Sequence, residues 1–278
     1  MYEQIILEVQ DPVATITLNR PDRLNATTPL MMQEIRHALA VAERNEEVVG
    51  IVVTGAGRGF CAGADMAGLQ DIQSSGNITP ETGADLEPLD PGDRDLGEDF
   101  ERGLAYLWTI RKPIVAAING PCAGYGFSLA MFCDLRFASE SAFFTTAFAQ
   151  RGLVAEHGMS WLLPHLIGSS RALDILWSGR RFDAQEALQI GVVNRVVPDG
   201  ESSSSAQAYV TGLAETCSPA SLMHMKRQVY RHLMQPLGPA MRETEALMAE
   251  SVKRPDFKEG LASYAERRPP KFERVLVD

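Results

Sequence analysis

Glu156 is the residue of this chain best suited to chemistry, because its carboxylate lies in the glycine-flanked apolar segment 151–158. Two glycine-rich turns, at residues 59–66 and 119–128, precede it. A turn of this kind can direct a backbone N–H at a carbonyl oxygen, and two turns can supply the two donors that stabilise an oxyanion. A base beside such donors indicates proton removal from a carbon next to a carbonyl group.

Each of these features also has a purely structural interpretation. A helix is predicted to begin at Gly158, and a carboxylate at its N-terminus would stabilise it by about 0.3–1 kcal/mol. Glycines that follow strands often serve tight turns and close packing without any ligand. His157 can assist as an acid or orient Glu156, and a structural or exposed histidine fits the pattern equally well.

Alternating strands and helices must position the turns. Residues 5–9 and 14–18 predict a hairpin around Asp11-Pro12, and the apolar period of residues 30–44 predicts a helix. Further elements are predicted as strand 48–53, helix 100–110, strand 113–118, helix 126–131 and strand 133–138. This alternation indicates an α/β fold, in which ligands usually bind after the strands, where both turns lie.

Two segments differ in composition from this core. Residues 70–99 are rich in Gly, Pro, Ser, Asp and Glu, which predicts a long mobile loop. Four helices are predicted after Pro198, over residues 201–216, 219–234, 239–252 and 256–266. We therefore divide the chain into a core, residues 1–198, and a helical region, residues 199–278, that packs on the core or on a partner.

The composition excludes several classes of function. The chain of 278 residues has a net charge of −10, and nucleic-acid binding requires a basic face. Its four cysteines, Cys61, Cys122, Cys133 and Cys217, have no metal-ligand spacing, so we expect reduced thiols and no metal. The beginning of the sequence is not typical of a signal peptide, and no apolar run reaches the roughly 18 residues of a membrane span. We expect a cytoplasmic protein without nucleic-acid or membrane partners.

The sequence resembles the crotonase, or enoyl-CoA hydratase/isomerase, superfamily. The two turns and the segments 114–120, 133–138 and 191–194 carry this resemblance, in order, within residues 5–197. It implies a spiral of ββα units with a C-terminal helical trimerisation region, assembled as a homotrimer or a dimer of trimers. It also implies an acyl-CoA thioester as substrate and no separate cofactor, because coenzyme A enters as part of the substrate.

The resemblance assigns roles to individual residues. In the family, one N–H from each turn holds the thioester oxygen, and the matching residues are Ala64 and Tyr125. Tyr125 replaces a glycine common at that position, but the role needs only its N–H. The residues implied to line the coenzyme A and substrate site are Arg23, Leu24, Ala26, Ala62, Asp65, Met66 and Ala67. Asp65 is also a candidate for a helix cap or a catalytic acid, and capping is the favoured role of these two.

Ser128 and Phe148 separate this chain from the typical hydratase. Hydratases of the family carry glutamates at these two positions, and neither serine nor phenylalanine acts as a general acid or base near neutral pH. Branches that isomerise enoyl-CoA double bonds instead place an acidic residue at the position of Glu156. Ser128 is expected to tune the polarity of the acyl pocket, and Phe148 to make the pocket more apolar.

We therefore expect Glu156 to move a proton on an enoyl-CoA, with His157 as a second candidate catalytic residue. The most plausible reactions are isomerisation or hydration of a double bond. Two alternatives remain open, namely thioester hydrolysis or carbon–carbon cleavage on the same fold, and a non-catalytic acyl-CoA binder. Phe143, Phe144 and Met159 are further candidates for the pocket, and Trp108, Trp161 and Trp177 are predicted to lie in the core.

Overall fold

The computed structural model describes residues 2–75, 86–87 and 89–277. The strands are β1 (Ile5–Gln10), β2 (Val13–Leu18), β3 (Gly50–Gly55), β4 (Ile114–Ile118), β5 (Cys122–Ala123), β6 (Leu135–Ser139), β7 (Phe143–Thr145), β8 (Phe182–Asp183) and β9 (Arg195–Val197). The helices are α1 (Pro29–Arg44), α2 (Met66–Ser75), α3 (Tyr125–Phe132), α4 (Met159–Ile167), α5 (Ser169–Ser178), α6 (Ala184–Ile190), α7 (Ser202–Thr216), α8 (Pro219–His232), α9 (Leu237–Ser251) and α10 (Pro255–Glu266).

The strands form two sheets within the described residues. The larger has the order β1-β2-β3-β4-β6-β9, with β1 antiparallel to β2 and the other neighbours parallel. The smaller has the order β5-β7-β8. Because β5 follows β4 directly and β7 follows β6, the chain passes repeatedly between the sheets. This mixed α/β arrangement confirms the predicted fold class.

The central strands β3 and β4 are buried along their whole length because the larger sheet is covered on both faces. Ile51 and Val53 point into the main core, whereas Val52 packs in a second cluster with Val210 of α7. Strands buried on both faces appear in a sequence as continuous apolar runs, which explains why both were predicted from the sequence.

The predicted helix over residues 100–110 is wrong. The segment instead contains two short 3-10 turns, Glu98–Phe100 and Ala105–Trp108. Gly103 between them has a φ of +56°, which an α-helix cannot contain. The apolar residues that suggested a helical period are nevertheless buried, so the burial signal was correct and the local backbone was not.

The predicted loop over residues 70–99 is wrong at its beginning, because residues 70–75 complete helix α2. Asp65 supports this helix by accepting a hydrogen bond from the N–H of Ala67 at 3.0 Å. Residues 76–85 and 88 lie outside the described residues. From Asp93 onward the backbone forms another 3-10 turn, Arg94–Leu96, and then the two turns described above.

Helix α8 is attached to the core by an ion pair between buried Lys226 and half-buried Asp134. The Nζ of Lys226 lies 2.8 Å from the carboxylate of Asp134, which also accepts a hydrogen bond from the hydroxyl of Tyr230 at 2.8 Å. The Tyr230 ring stacks on Trp108, with 4.5 Å between the ring centroids. These contacts join the C-terminal helices to the strands around β4 and β6.

Farther along the chain, the helices bury little of their apolar surface. Helix α9 contains no buried residue, and Leu237 and Tyr264 are 77% and 87% exposed.

Trp177 on α5 is 71% exposed, so its predicted core position is wrong, whereas Trp108 is buried as predicted. No helix in the described ranges is long and apolar enough to cross a membrane.

Candidate active site

The two glycine-rich turns lie side by side. Backbone hydrogen bonds link them directly, because the N–H groups of Phe60 and Cys61 both donate to the carbonyl of Pro121, at 3.1 and 3.0 Å. The N–H of Ala123 donates back to the carbonyl of Cys61 at 2.9 Å. Parallel strands β3 and β4 deliver the turns to the same edge of the sheet, as the sequence predicts.

Glycine is required where the turns touch. Gly63 and Gly124 have φ values of +104° and +50°, a left-handed region that residues with a side chain rarely adopt. A Cβ added to Gly126 would lie 2.5 Å from both the Cβ and the carbonyl oxygen of Cys61. The absence of a side chain at Gly126 therefore lets α3 approach the first turn, and Gly63 and Gly124 allow the backbone conformation of the two turns.

This approach leaves two backbone donors without an acceptor. Among the hydrogen bonds of the described residues, none uses the N–H of Ala64 or that of Tyr125. Tyr125 is the first residue of α3, where helix N–H groups have no partner within the helix and the helix dipole favours negative charge. Each of these residues immediately follows one of the touching glycines, Gly63 and Gly124.

Both residues line a cavity of about 260 Å³. The two turns and the segment 146–157 contribute most of the residues that line the cavity. Its lining residues are Arg23, Ala26, Ala62, Gly63, Ala64, Asp65, Met66, Leu69, Ala123, Gly124, Tyr125, Thr146, Ala147, Phe148, Arg151, Leu153, Glu156 and His157. The structure thus gathers segments that are far apart in the sequence.

Glu156 lines this cavity with a carboxylate that forms no hydrogen bond or ion pair with any residue the structure describes. Its backbone carbonyl accepts a hydrogen bond from the N–H of Met159 at 3.0 Å, which fixes the turn before α4. The residue that precedes α4 is Gly158, and no side chain caps that helix. The carboxylate is therefore not used as a helix cap and is available in the cavity.

Asp65, the other carboxylate of the lining, is already engaged. It accepts the hydrogen bond from Ala67 described above and pairs with Arg20 at 2.8 Å. Burial alone raises the pKa of Asp65, but these two contacts outweigh it and hold the pKa below its ordinary value. Asp65 is thus an ionised cap of α2, in agreement with the alternative role considered from the sequence.

His157 lies beside Glu156 in an unusual backbone conformation, with a φ of +54°. Its ring packs edge-on against Tyr125, with 5.0 Å between centroids, and lies 6.5 Å from the ring of Phe148. Burial lowers the pKa of His157, and the neighbouring Glu156 only partly opposes this effect. The imidazole is therefore neutral near pH 7.

Most residues selected from the sequence come together in this cavity, but Leu24, Ala67 and Ser128 are not part of its lining. Leu24 contributes its carbonyl, which accepts a hydrogen bond from the N–H of Ala62 at 2.9 Å. Ser128 is fully buried, and its hydroxyl donates to the Gly124 carbonyl at 3.3 Å. The further pocket candidates Phe143, Phe144 and Met159 also do not line the cavity.

Sequence reasoning missed a buried asparagine that holds the first turn in place. The Nδ2 of Asn25 donates to the carbonyls of Ala56 and Gly59 at 3.0 and 2.8 Å, and its Oδ1 accepts from the N–H of Arg20. The two carbonyl partners, Ala56 and Gly59, lie more than thirty residues away along the chain, so no local pattern identifies this role. Arg151 was also missed as a lining residue, although it borders the segment that was singled out.

Comparison with known proteins agrees with this geometry. The enoyl-CoA hydratase/isomerase family model matches residues 8–275. A protein of Mycobacterium tuberculosis named "probable enoyl-CoA hydratase" is 37% identical over 263 residues, which cover 94% of this chain and 89% of that protein. The 1,2-epoxyphenylacetyl-CoA isomerase of Escherichia coli is 32% identical over 279 residues, covering 98% of this chain and 99% of the relative.

Solved structures show the same relationship. An enoyl-CoA hydratase subunit of Geobacillus kaustophilus superimposes with a TM-score of 0.82 at 34% identity and covers 98% of both chains. An enoyl-CoA hydratase/isomerase of Mycobacterium paratuberculosis has a TM-score of 0.82 at 29% identity, covering 98% of this chain and 99% of its own. The fold is therefore that of the crotonase class of enzymes. Within this class, the chain belongs to the enoyl-CoA hydratase/isomerase family.

Proposed function

We propose that this enzyme isomerises the double bond of an enoyl-CoA, with Glu156 carrying the proton from one carbon to another. The observation that carries the proposal is the arrangement around the cavity. One unpaired carboxylate, Glu156, lines the same cavity as the two free N–H groups of Ala64 and Tyr125. This arrangement supplies a base and two oxyanion donors.

Before the proton transfer, Glu156 is an ionised carboxylate, and the carbonyl oxygen of the thioester accepts hydrogen bonds from the N–H groups of Ala64 and Tyr125. Glu156 takes a proton from the α carbon of a β,γ-unsaturated acyl group, and the electrons of the C–H bond move onto the thioester oxygen to form a dienolate. The protonated Glu156 then returns the proton to the γ carbon, which leaves an α,β-unsaturated thioester and a free carboxylate. A single base suffices because the proton leaves the α carbon and reaches the γ carbon on the same face of a planar intermediate.

Isomerisation is favoured over hydration because hydration needs a second acid or base to activate water. Of the two positions where family hydratases carry glutamate, one holds Ser128, whose hydroxyl is buried and bonded to the backbone. The other holds Phe148, which lines the cavity as an apolar ring. Asp65 is paired with Arg20 and caps α2, so it does not replace a missing glutamate.

Two arginines support the placement of coenzyme A. Arg23 and Arg151 both line the cavity and are exposed, which suits contact with the phosphates of a nucleotide at the mouth. Arg151 is oriented by a hydrogen bond from its guanidinium to the carbonyl of Ala147 at 3.0 Å. The acyl thioester then extends inward toward Ala64, Tyr125 and Glu156.

The test is α-proton exchange in deuterated water, measured for wild type and Glu156→Gln with a panel of acyl- and enoyl-CoA thioesters. We expect deuterium uptake by wild type and a decrease of about 10²–10⁴-fold in the variant, which is the range for a general base. Glu46→Gln is the matched control, because Glu46 is exposed and does not line the cavity. It should exchange as wild type does.

Product masses separate the remaining reactions. An unchanged mass with a shifted double bond supports isomerisation, a gain of one water indicates hydration, and free coenzyme A indicates thioester hydrolysis. A shorter acyl product would reveal carbon–carbon cleavage. Tight thioester binding without exchange in wild type would contradict the proposal and leave a non-catalytic acyl-CoA binder.

A further inference from the structure

The two peptide groups that carry the free donors share a pattern at their other end. The N–H of Ala64 belongs to the same peptide group as the carbonyl of Gly63, and the N–H of Tyr125 to the same group as the carbonyl of Gly124. Both peptide bonds are trans, so each carbonyl points in the opposite direction to its N–H. A group that holds the carbonyl therefore also fixes the direction of the N–H.

Thr27 holds the carbonyl of Gly63 with two groups. Its N–H donates to this oxygen at 2.8 Å, and its hydroxyl donates to the same oxygen at 3.3 Å. The Sγ of Cys61 is a longer third contact, at 3.9 Å. The carbonyl of Thr27 in turn accepts a hydrogen bond from the N–H of Asp65 at 2.9 Å. The N–H of Ala64 therefore points away from Thr27.

Ser128 holds the carbonyl of Gly124 in the same way. Its N–H donates to this oxygen at 3.0 Å and its hydroxyl at 3.3 Å. In a helix such as α3, a serine hydroxyl can bond to the carbonyl four residues earlier without any further role. Helix geometry does not account for the bond from Thr27, which lies 36 residues before Gly63. The same pair of bonds thus arises at both donors by two different routes.

Both hydroxyls lie behind the donors and away from water. Thr27 is 4% exposed and Ser128 is fully buried, and neither lines the cavity that Ala64 and Tyr125 line. Hydrogen bonds linked through one peptide group polarise each other, and in a protein interior this strengthens each bond by about 10–30%. A hydroxyl on the carbonyl therefore makes the N–H at the other end a stronger donor.

We infer that the hydroxyls of Thr27 and Ser128 orient and strengthen the two oxyanion donors, which makes both of them positioning residues. The inference rests on the proposed function, because the donors must bind a thioester oxygen. Removal of a whole donor typically costs about 10²–10³ in rate, and 10–30% of that effect on a logarithmic scale is about two- to eightfold.

The test measures the carbonyl stretching frequency of bound butyryl-CoA, labelled with carbon-13 at the carbonyl, by isotope-edited infrared difference spectroscopy. In wild type, the two donors should lower this frequency relative to the free thioester. Thr27→Val and Ser128→Ala each remove one hydroxyl, and each should retain only part of the shift. Thr27→Ser keeps the hydroxyl and should keep the wild-type shift.

Thr54→Val is the matched control. The hydroxyl of Thr54 is also buried and donates to a backbone carbonyl, that of Ala117 at 2.9 Å, but the residue does not line the cavity. This variant should keep the wild-type shift and exchange rate. In Thr27→Val and Ser128→Ala, α-proton exchange under saturating thioester should fall about two- to eightfold. Urea unfolding checks that each variant is folded.

An unchanged shift in folded Thr27→Val and Ser128→Ala would overturn the inference, and so would an equal loss in Thr54→Val. A reduced shift in Thr27→Ser would assign the effect to packing of the methyl group and remove the Thr27 hydroxyl from this role.

The infrared measurement requires no proton transfer, so its result is independent of Glu156. A wild-type shift that depends on the two hydroxyls, without α-proton exchange on any thioester, would support the inference and refute the proposed isomerase. Exchange that depends on Glu156, together with unchanged shifts in the variants, would do the reverse. Bound butyryl-CoA without a shift in wild type would overturn both proposals.

Discussion

His157 is the residue at which backbone strain, aromatic contact and titration coincide. Its left-handed backbone places the imidazole against Tyr125 and next to the candidate base. Because the residue is half-buried, charging its ring costs more in the folded state than in water. A neutral imidazole at this position adds no charge to the cavity, and in the proposed reaction Glu156 carries the proton.

The lowered pKa of His157 predicts a loss of stability on mild acidification. As the pH falls below about 6.5, the unfolded chain binds the proton first, so unfolding is favoured until the lower folded pKa is also passed. His157→Asn lacks this titration, and asparagine tolerates the left-handed backbone. We expect the free energy of unfolding to fall less between pH 7.5 and 5.5 in His157→Asn than in wild type.

Urea unfolding at the two pH values measures this difference. His224 also has a lowered pKa, but it is present in both proteins, so its contribution cancels in the comparison. Equal pH dependence in wild type and His157→Asn would show that the imidazole is not desolvated as described.

Individual residues could be predicted from the sequence where a local motif marks them, and not where their role depends on contacts with distant residues. Glu156, Ala64 and Tyr125 were selected because glycine patterns and a family resemblance mark their positions. Asn25 was not, because its role consists of hydrogen bonds to the carbonyls of Ala56 and Gly59. Trp177 was misplaced because an apolar helical setting does not distinguish a core residue from an exposed one.

Among the elements, helix α3 has the tightest constraint, since it contacts the first turn through Gly126. The space for a side chain there is occupied by Cys61, both its Cβ and its carbonyl oxygen. Backbone atoms cannot move aside as the end of a flexible side chain can. Any residue larger than glycine must therefore displace α3, which carries the N–H of Tyr125, from the first turn, which carries that of Ala64.

Gly126→Ala should consequently lower both stability and activity. Overpacking of this kind typically costs about 1–3 kcal/mol, and separation of the two donors should reduce α-proton exchange by at least tenfold. The measurements are the free energy of unfolding and the exchange rate under saturating thioester. Gly212→Ala in α7 is the matched control, because no atom lies within 4 Å of the added Cβ.

The control should be more stable than wild type by about 0.4–1 kcal/mol, because alanine reduces the entropy of the unfolded chain. A Gly126→Ala protein with unchanged stability and exchange would show that α3 can shift without consequence. This comparison separates the general effect of Gly→Ala in a helix from the effect of contact with the first turn.

The strands and helices that the sequence predicted correctly were those marked by an apolar run or by a capping residue. Strands β3 and β4 appear as apolar runs, and the helices after Pro198 begin near proline or a capping residue. The helix prediction for segment 100–110 was wrong because burial on one side of an irregular chain gives the same apolar spacing as a helix. The backbone there consists of 3-10 turns separated by the positive φ of Gly103, which composition does not reveal.

At the scale of the whole molecule, buried carboxylates fasten irregular segments to the core. Glu34 accepts hydrogen bonds from the N–H groups of Glu3 and Gln4, and Glu43 accepts from those of Gly92 and Arg111. Both carboxylates are almost completely buried. Each therefore satisfies donors that would otherwise be desolvated without a partner, and each connects α1 to a segment distant in the sequence.

The exposed apolar surface of the C-terminal helices predicts self-association, and the family resemblance implies a trimer or a pair of trimers. Met225, Leu237, Leu261 and Tyr264 are each at least 58% exposed, and an apolar surface of this extent marks an interaction site. Light scattering at micromolar concentration should give three or six times the chain mass of 30.4 kDa. A stable species of 30.4 kDa under those conditions would contradict the expectation.

The two free donors of the cavity are main-chain groups, so mutations of the codons for Ala64 and Tyr125 seldom remove them. Every coded amino acid except proline has the N–H that Ala64 and Tyr125 present, so most mutations at these codons leave the donors in place. A change of side chain at the same codons alters the lining of the cavity and keeps the N–H. A lineage can therefore acquire a new acyl preference by single-codon changes while it inherits its oxyanion donors unaltered.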